Sequence, residues 1–174
     1  MSPTRNRAAH SAAGAKVIVR NLAVEDIAPV YHLGERIFDA RRFPTLHRTW
    51  DPYEVASQFV SEGDLSLVAV LNGRVVGFIL GTTVEKPDQR RRDGYLIWLG
   101  VDERERRRGI AKRLMVELVR RMRECGVHVL LLETEEGSTD AIPFFRRMGF
   151  EVNPVRQLWM CRTLGRAGRR REPT

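Results

Sequence analysis

The sequence predicts an α/β layer fold with one parallel crossover, and three observations carry that prediction. Asn72-Gly73 joins two apolar stretches, a strong short-range signal for an antiparallel hairpin. Residues 109–125 repeat apolar side chains at helical spacing. That helix stands between two apolar runs, YLIWLGV (95–101) and VHVLLLET (127–134), so it carries the chain from one strand to a parallel one.

The elements follow in order. Lys16–Leu22 (KVIVRNL) alternates as a first strand. Over Val24–Ala40, Ile27, Val30, Tyr31, Gly34, Ile37 and Phe38 fall at helical spacing, and Glu25 and Asp26 suit the first turn. ARRFPTLHRTW (40–50) reads as a loop. Asp51-Pro52 then opens a second helix, with Asp as N-cap and Pro at the first helical position, running to about Ser61. Gly63-Asp64 introduces the strand LSLVAVL (65–71), and RVVGFILGTTVE (74–85) returns antiparallel after the hairpin. KPDQRRRDG (86–94) reads as a polar loop, and 95–101 as a strand buried on both faces. The long helix from Gly109 to Cys125 has an apolar seam of Ile110, Ala111, Leu114, Met115, Leu118, Met122 and Cys125. Residues 127–134 read as another buried strand, and Asp140–Met148 as a short helix closed by Gly149. FEVN (150–153) and RQLWMCRTL (156–164) complete the set as strands.

At 174 residues, 43% hydrophobic and 30% charged, the chain suits one soluble globular domain, expected over 16–164. No apolar run approaches the roughly 20 residues of a membrane helix. The N-terminal stretch lacks the apolar core of a secretory signal. Two cysteines, Cys125 and Cys161, are too few for a disulfide framework, so reduced thiols and a cytoplasmic location are expected. The net charge of +8 first suggests nucleic acid. Residues 1–16 hold +3 of it and residues 165–174 another +3, leaving +2 for the rest. The basicity therefore sits in two tails, 1–15 and 165–174, whose composition reads as disordered, and specific nucleic-acid binding is not expected. His10, His32, His47 and His128 show no ligand spacing, so no metal is expected.

The stretch RERRRGIAKRLM (104–115) raises a conflict. Arg104, Arg106, Arg107 and Arg108 crowd the start of a helix whose dipole is already positive there, at a cost of a few tenths to roughly 1 kcal/mol each. Gly109 lets the backbone turn where a Cβ would intrude. The first helical N–H groups have no intrahelical partner, which makes a phosphate or pyrophosphate the natural occupant. The alternative is a helix start with solvated arginines.

The segment LGVDERERRRGIAKRLM resembles the acetyl-CoA-binding motif of the GNAT N-acetyltransferase superfamily, [RQ]-x-x-G-x-[GA] after a buried strand, with Arg106, Gly109 and Ala111 at the defining positions. DAIPFFRRMGF (140–150) resembles that family's A-I-x-x-[YF]-x-x-x-G-F signature, and LWMCRTL its last strand. The resemblance spans roughly residues 16–164. It implies a mixed, mostly antiparallel central sheet with one parallel β-α-β crossover and helices on both faces. It also implies acetyl-CoA as co-substrate, held by backbone amides across Arg106, Arg107, Arg108, Gly109, Ile110 and Ala111, with Lys112 adjoining. The pantetheine arm would pair with the strand at Leu99, Gly100 and Val101, where two parallel strands of the family splay apart.

The implied reaction is direct attack of a primary amine on the thioester. Glu133 matches the glutamate of the ribosomal-protein N-terminal alanine acetyltransferase branch and would serve as base, so a protein or peptide amine is the expected acceptor. A strand-end carboxylate in solvent is the other reading. Glu135 and Glu136 are further candidates, or an acidic surface for a cationic acceptor. Two departures from the family stand out. Phe145 occupies the place of the tyrosine that protonates the departing thiolate, so the thiolate leaves unassisted or another donor such as Tyr95 serves. Ser138 occupies the place of an asparagine, with fewer donors for a pantetheine amide. Phe43, His47, Trp50 and Tyr53 fall in the region that lines the acceptor side in the family, or else pack the turn between the first two helices. A small-molecule amine acceptor, or an acyl-CoA-binding sensor without turnover, are the alternatives. A monomer and a homodimer both fit the sequence.

Overall fold

The computed structural model describes residues 16–38, 50–86 and 91–153. Both tails, Phe43, His47 and the expected strand 156–164 lie outside the described residues. Five strands form one sheet in the order β1 (Ile18–Asn21), β2 (Ser66–Leu71), β3 (Arg74–Lys86), β4 (Arg91–Val101) and β5 (Val127–Leu132). Every neighbouring pair is antiparallel except β4–β5, which is parallel. Helices α1 (Ile27–Ile37) and α2 (Pro52–Ser61) cover one face, while α3 (Ile110–Glu124) and α4 (Ala141–Arg147) cover the other. The expected α/β sheet with a single parallel crossover is the observed one.

Local chemistry explains most boundaries. Asp51 caps α2, its carboxylate accepting from the Glu54 amide at 2.9 Å, and Pro52 takes the first position. The β2–β3 turn has φ 51° at Asn72 and 75° at Gly73, the two left-handed residues a tight hairpin needs. The start of the first helix is tighter than periodicity suggests. Val24–Asp26 form a 3-10 turn, and Asp26 accepts from both the Ala23 amide and the Arg20 guanidinium. Burial pushes the Asp26 carboxyl up, but those hydrogen bonds outweigh it and leave it below the usual carboxylate range. On α3, hydrogen bonds from Arg120 and Arg121 hold Glu117 down at about 2. Arg121 also reaches Asn21 Oδ1 (2.6 Å) and the Asp64 carbonyl (2.8 Å), tying α3 to the far edge of the sheet.

Three expectations are corrected. Lys86 and Arg91–Gly94 are strand, not loop: Lys86 pairs with Arg91, and Arg92, Asp93 and Gly94 pair with β5 as well as β3. Their polarity misleads because strand formation here is decided by partners on both sides. β5 is only partly covered, with Val127 buried and His128 exposed, so it is not a fully buried strand. FEVN (150–153) makes no strand; Phe150 instead turns back, its amide donating to the Phe145 carbonyl at 3.0 Å beyond the left-handed Gly149.

The core has two layers. Leu67, Val76, Ile79, Leu96, Leu114, Met115, Leu118 and Met122 fill the α3 side, and Val30, Leu33, Val55, Val68, Phe78, Leu80 and Trp98 the α1–α2 side. Gly34 on α1 is required by the second layer. A Cβ there would lie 2.1 Å from Trp50 Cε2. Trp50 stacks on Phe78, meets Trp98 edge-on and donates to the Tyr31 carbonyl at 2.8 Å. Gly→Ala in a helix ordinarily gains about 1 kcal/mol. Here the overpacking term, about 3 kcal/mol, outweighs it. Gly34→Ala is therefore expected to lose about 2 kcal/mol in denaturant unfolding, and a stabilised variant would show that Trp50 is not seated against α1.

Candidate functional site

The site begins where β4 parts from β5. The last β4–β5 pair is Leu96↔Leu132. At the same point β4 carries a bulge: Leu80 faces Trp98 and Gly81 faces Leu96, so Ile97 is the extra residue. The bulge breaks alternation. Ile97 and Trp98 both pack on the α1–α2 side, after which Leu99 and Val101 turn to the α3 side. Among the described residues, 98–101 pair with β3 alone, and from the bulge at Ile97 onward the second backbone edge is unpaired. This free edge contains Leu99, Gly100 and Val101. Gly100 also has a packing reason, since a Cβ there would meet Phe78 at 2.7 Å. Ile97, which no local pattern distinguishes, is absent from the sequence-based set.

Beyond Val101 the chain makes a capped turn into α3. Asp102 is buried and accepts from the Arg104 amide at 3.0 Å, while its own amide donates to the Val76 carbonyl at 2.9 Å. Arg107 (φ 61°) and Gly109 (φ 74°) then adopt left-handed conformations. Left-handed backbone costs a non-glycine residue roughly 1–2 kcal/mol, so Arg107 marks a loop held by its surroundings. Among the described residues, no backbone or side-chain oxygen accepts from the amides of 107–112; the first α3 amide with a partner is Arg113, bonded to the Gly109 carbonyl at 3.0 Å. A run of free amides in this conformation is an anion-binding concavity.

The arginines divide. Arg106 lies 3.7 Å from Glu103, and Arg108 pairs with Glu105, whose other oxygen holds Arg74 at 2.9 Å. Arg113 donates to the Val17 carbonyl at 3.1 Å. Arg107 and Lys112 are exposed and form no ion pair with a described carboxylate. Two of the four crowded arginines are thus relieved by their own acidic neighbours, while Arg104, Arg107 and the adjoining Lys112 have no described carboxylate partner. Ile110 is buried beneath the loop and anchors it, and Ala111 is half-buried.

Of the remaining expected residues, Tyr95 and Glu133 flank the end of the β4–β5 pairing. Glu133 is exposed, immediately after the end of β5. Tyr95 is half-buried in β4, opposite Thr82 on one side and Leu131 on the other. Ser138 accepts from the Ala141 amide at 3.3 Å beside the start of α4, keeping its hydroxyl proton available. Phe145 packs against the α3-side core between Phe144 and Phe150, with ring centroids at 5.3 and 5.6 Å. Trp50 is engaged in the aromatic cluster described above, and Tyr53 is 81% exposed on the first turn of α2. A separate groove between α3 and α4, lined by Val116, Val119 and Met148 with three charged residues, lies toward the opposite end of α3 from the amide loop. Among the described residues, no group of three or more His, Cys, Asp or Glu is placed to hold a metal ion. Among the described residues, no helix is long and apolar enough to cross a membrane.

Known proteins share the sequence pattern and the fold of this chain. Residues 30–150 match the model of the Acetyltransferase (GNAT) family. N-acetyltransferase 8 of Homo sapiens is 28% identical over 130 residues, 66% of this chain, and the match spans 57% of that protein's length. The [Ribosomal protein bS18]-alanine N-acetyltransferase of Escherichia coli (strain K12) is 24% identical over 148 residues, covering 85% of this chain and 90% of that one. Among solved structures, the NatC complex bound to Gag peptide and CoA superposes with a TM-score of 0.66 at 20% identity, over 76% of this chain and 83% of that one.

Proposed function

The chain belongs to the acetyltransferase (GNAT) family, and on that premise we propose that it moves an acetyl group from acetyl-CoA to the primary amine of a protein or peptide. The observation that carries this reading is the juxtaposition of two unsatisfied backbone surfaces. One is the run of amides at 107–112, and the other is the unpaired edge of β4 at 97–101. The first suits a pyrophosphate, with Arg107 and Lys112 adding charge. The second suits an extended amide-bearing arm that pairs as an added strand. Coenzyme A carries both groups in that order, and its thioester supplies the activated acetyl group.

The chain's own residues divide the remaining work. Glu133, exposed beside the opening, takes the proton that the amine must lose. Ser138 donates its hydroxyl proton to an amide of the arm. Phe145 has no proton to give, so the leaving thiolate departs as such or takes one from Tyr95. The resemblance to the ribosomal-protein alanine acetyltransferase of Escherichia coli supports a peptide α-amine as acceptor. The Phe145 ring, packed where a hydroxyl would serve, favours a second reading, acyl-CoA binding without turnover.

Thiol release from acetyl-CoA separates them. Peptides with a free N-terminus are expected to release thiol faster than lysine peptides blocked at the N-terminus or polyamines. Calorimetric binding of CoA without release by any acceptor would overturn the enzymatic reading in favour of the second.

A further inference from the structure

We propose that Glu62 is a specificity-determining residue that binds a second positive charge on the acceptor, next to the amine that reacts. This rests on the acetyl-transfer reading above, because it takes the β4 bulge as the place of reaction. Glu62 ends α2. Its amide donates to the Gln58 carbonyl at 3.0 Å and its carbonyl accepts from Leu65 at 2.9 Å, so its backbone is held from both sides. The side chain reaches the sheet, where Oε1 accepts from the Thr82 hydroxyl at 2.6 Å.

The carboxylate is half-buried, yet no lysine, arginine or histidine among the described residues pairs with it. Asp51 also lacks a basic partner among the described residues, but its carboxylate caps α2. Asp26, Asp102, Glu105 and Glu117 each hold at least one arginine. Gln58, one helical turn before Glu62, adds a buried side-chain oxygen with no donor. The second oxygen of the Glu62 carboxylate therefore lacks the donor that a cationic N–H group would bring.

The location fits the acceptor side. A Cβ at Gly81 would face Met122 and Leu118 of α3, so Thr82 points to the other face, that of α1 and α2. Thr82 lies opposite Tyr95, and Tyr95 opposite Leu131, two residues before Glu133. Glu62 and Glu133 thus end a row that crosses the sheet on either side of Tyr95. Thr82 is one strand across and two residues along from the bulge at Ile97, about 8–9 Å away by strand spacing. A lysine or arginine on the residue adjoining the reacting amine spans that distance. The implied substrate class is a peptide whose residue next to the reacting amine is basic.

Glu62→Gln tests this without disturbing the link to Thr82, since the amide oxygen still accepts from the hydroxyl. The probes are the tripeptide amides Ala-Arg-Ala and Ala-Gln-Ala, which differ by one charge. They are titrated calorimetrically into the full chain saturated with CoA. The intact protein is expected to bind the arginine peptide about tenfold more tightly, as a charge-assisted hydrogen bond to a half-buried carboxylate implies. In Glu62→Gln the two affinities should agree within twofold, with affinity for the glutamine peptide and for CoA unchanged. Equal affinities in the intact protein, a preference that survives in the variant, or no binding of either peptide would overturn the assignment. Thiol release is read separately. A tenfold preference without release would remove the acetyl-transfer reading and leave the charge-binding role of Glu62 standing.

Discussion

Gly109→Glu is expected to weaken coenzyme A binding at least a hundredfold while leaving the protein folded. The two halves of that expectation have different causes. A Cβ at Gly109 meets nothing within 4 Å, so no side chain in the protein is displaced. The backbone there has φ 74°, and a residue other than glycine costs about 1–2 kcal/mol in that conformation. A carboxylate at the head of α3 returns part of that cost through the helix dipole. The net loss of stability is therefore about 1 kcal/mol, within what a folded domain tolerates. Binding suffers far more, because the new carboxylate occupies the same field and the same amides as the pyrophosphate. Gly109→Ala carries the backbone cost without the charge and is expected to retain affinity within about tenfold. Calorimetric titration of CoA into both variants checks this, and undiminished affinity in Gly109→Glu would remove the amide loop from the site.

Glu133→Gln is expected to lower turnover with a peptide α-amine by about a hundredfold at pH 7, at the lower end of what a general base contributes. The deficit should shrink toward pH 9. An α-amine titrates near 7.7–8.0 and is largely neutral by pH 9, so a base then has little left to remove. A lysine amine, near 10.4, is still mostly protonated at pH 9, and the deficit would persist. One pair of pH profiles therefore tests the base and reports the class of acceptor. Because Glu133 is exposed, its replacement carries no packing cost that would mimic a loss of catalysis. A loss equal at pH 7 and pH 9 with an α-amine acceptor would assign the proton transfer elsewhere.

Much of this architecture is legible in the chain because it is written in neighbouring residues. Asp51-Pro52 starts α2, Asn72-Gly73 turns the hairpin, and the spacing from Ile110 to Met122 makes the buried side of α3. The amide loop is legible for the same reason: the first N–H groups of any helix lack an intrahelical partner, and Gly109 has no side chain to cap them. Arg91–Gly94 is illegible on those terms. Nothing local marks RRDG as strand, and only pairing with β3 and β5 makes it one. Trp50 is a second case. Its aromatic ring suits a pocket wall or a core equally, and contact with Gly34, Phe78 and Trp98 decides its surroundings.

Sequence alone thus determined most of the elements, their order, the family and the run of amides left open before α3, since each depends on patterns within a few residues. Tertiary structure decided where β4 leaves β5, that Ile97 and Trp98 share one face, and which carboxylates keep an arginine. Those outcomes depend on strands and helices far apart in the chain. Glu62 shows the difference most plainly. In the sequence it is one acid among 22, and the fold sets it half-buried against Thr82 with no arginine of the described residues paired to it. A bulge, a strand opening and an unpaired charge are properties of contacts between elements, and no single element carries them.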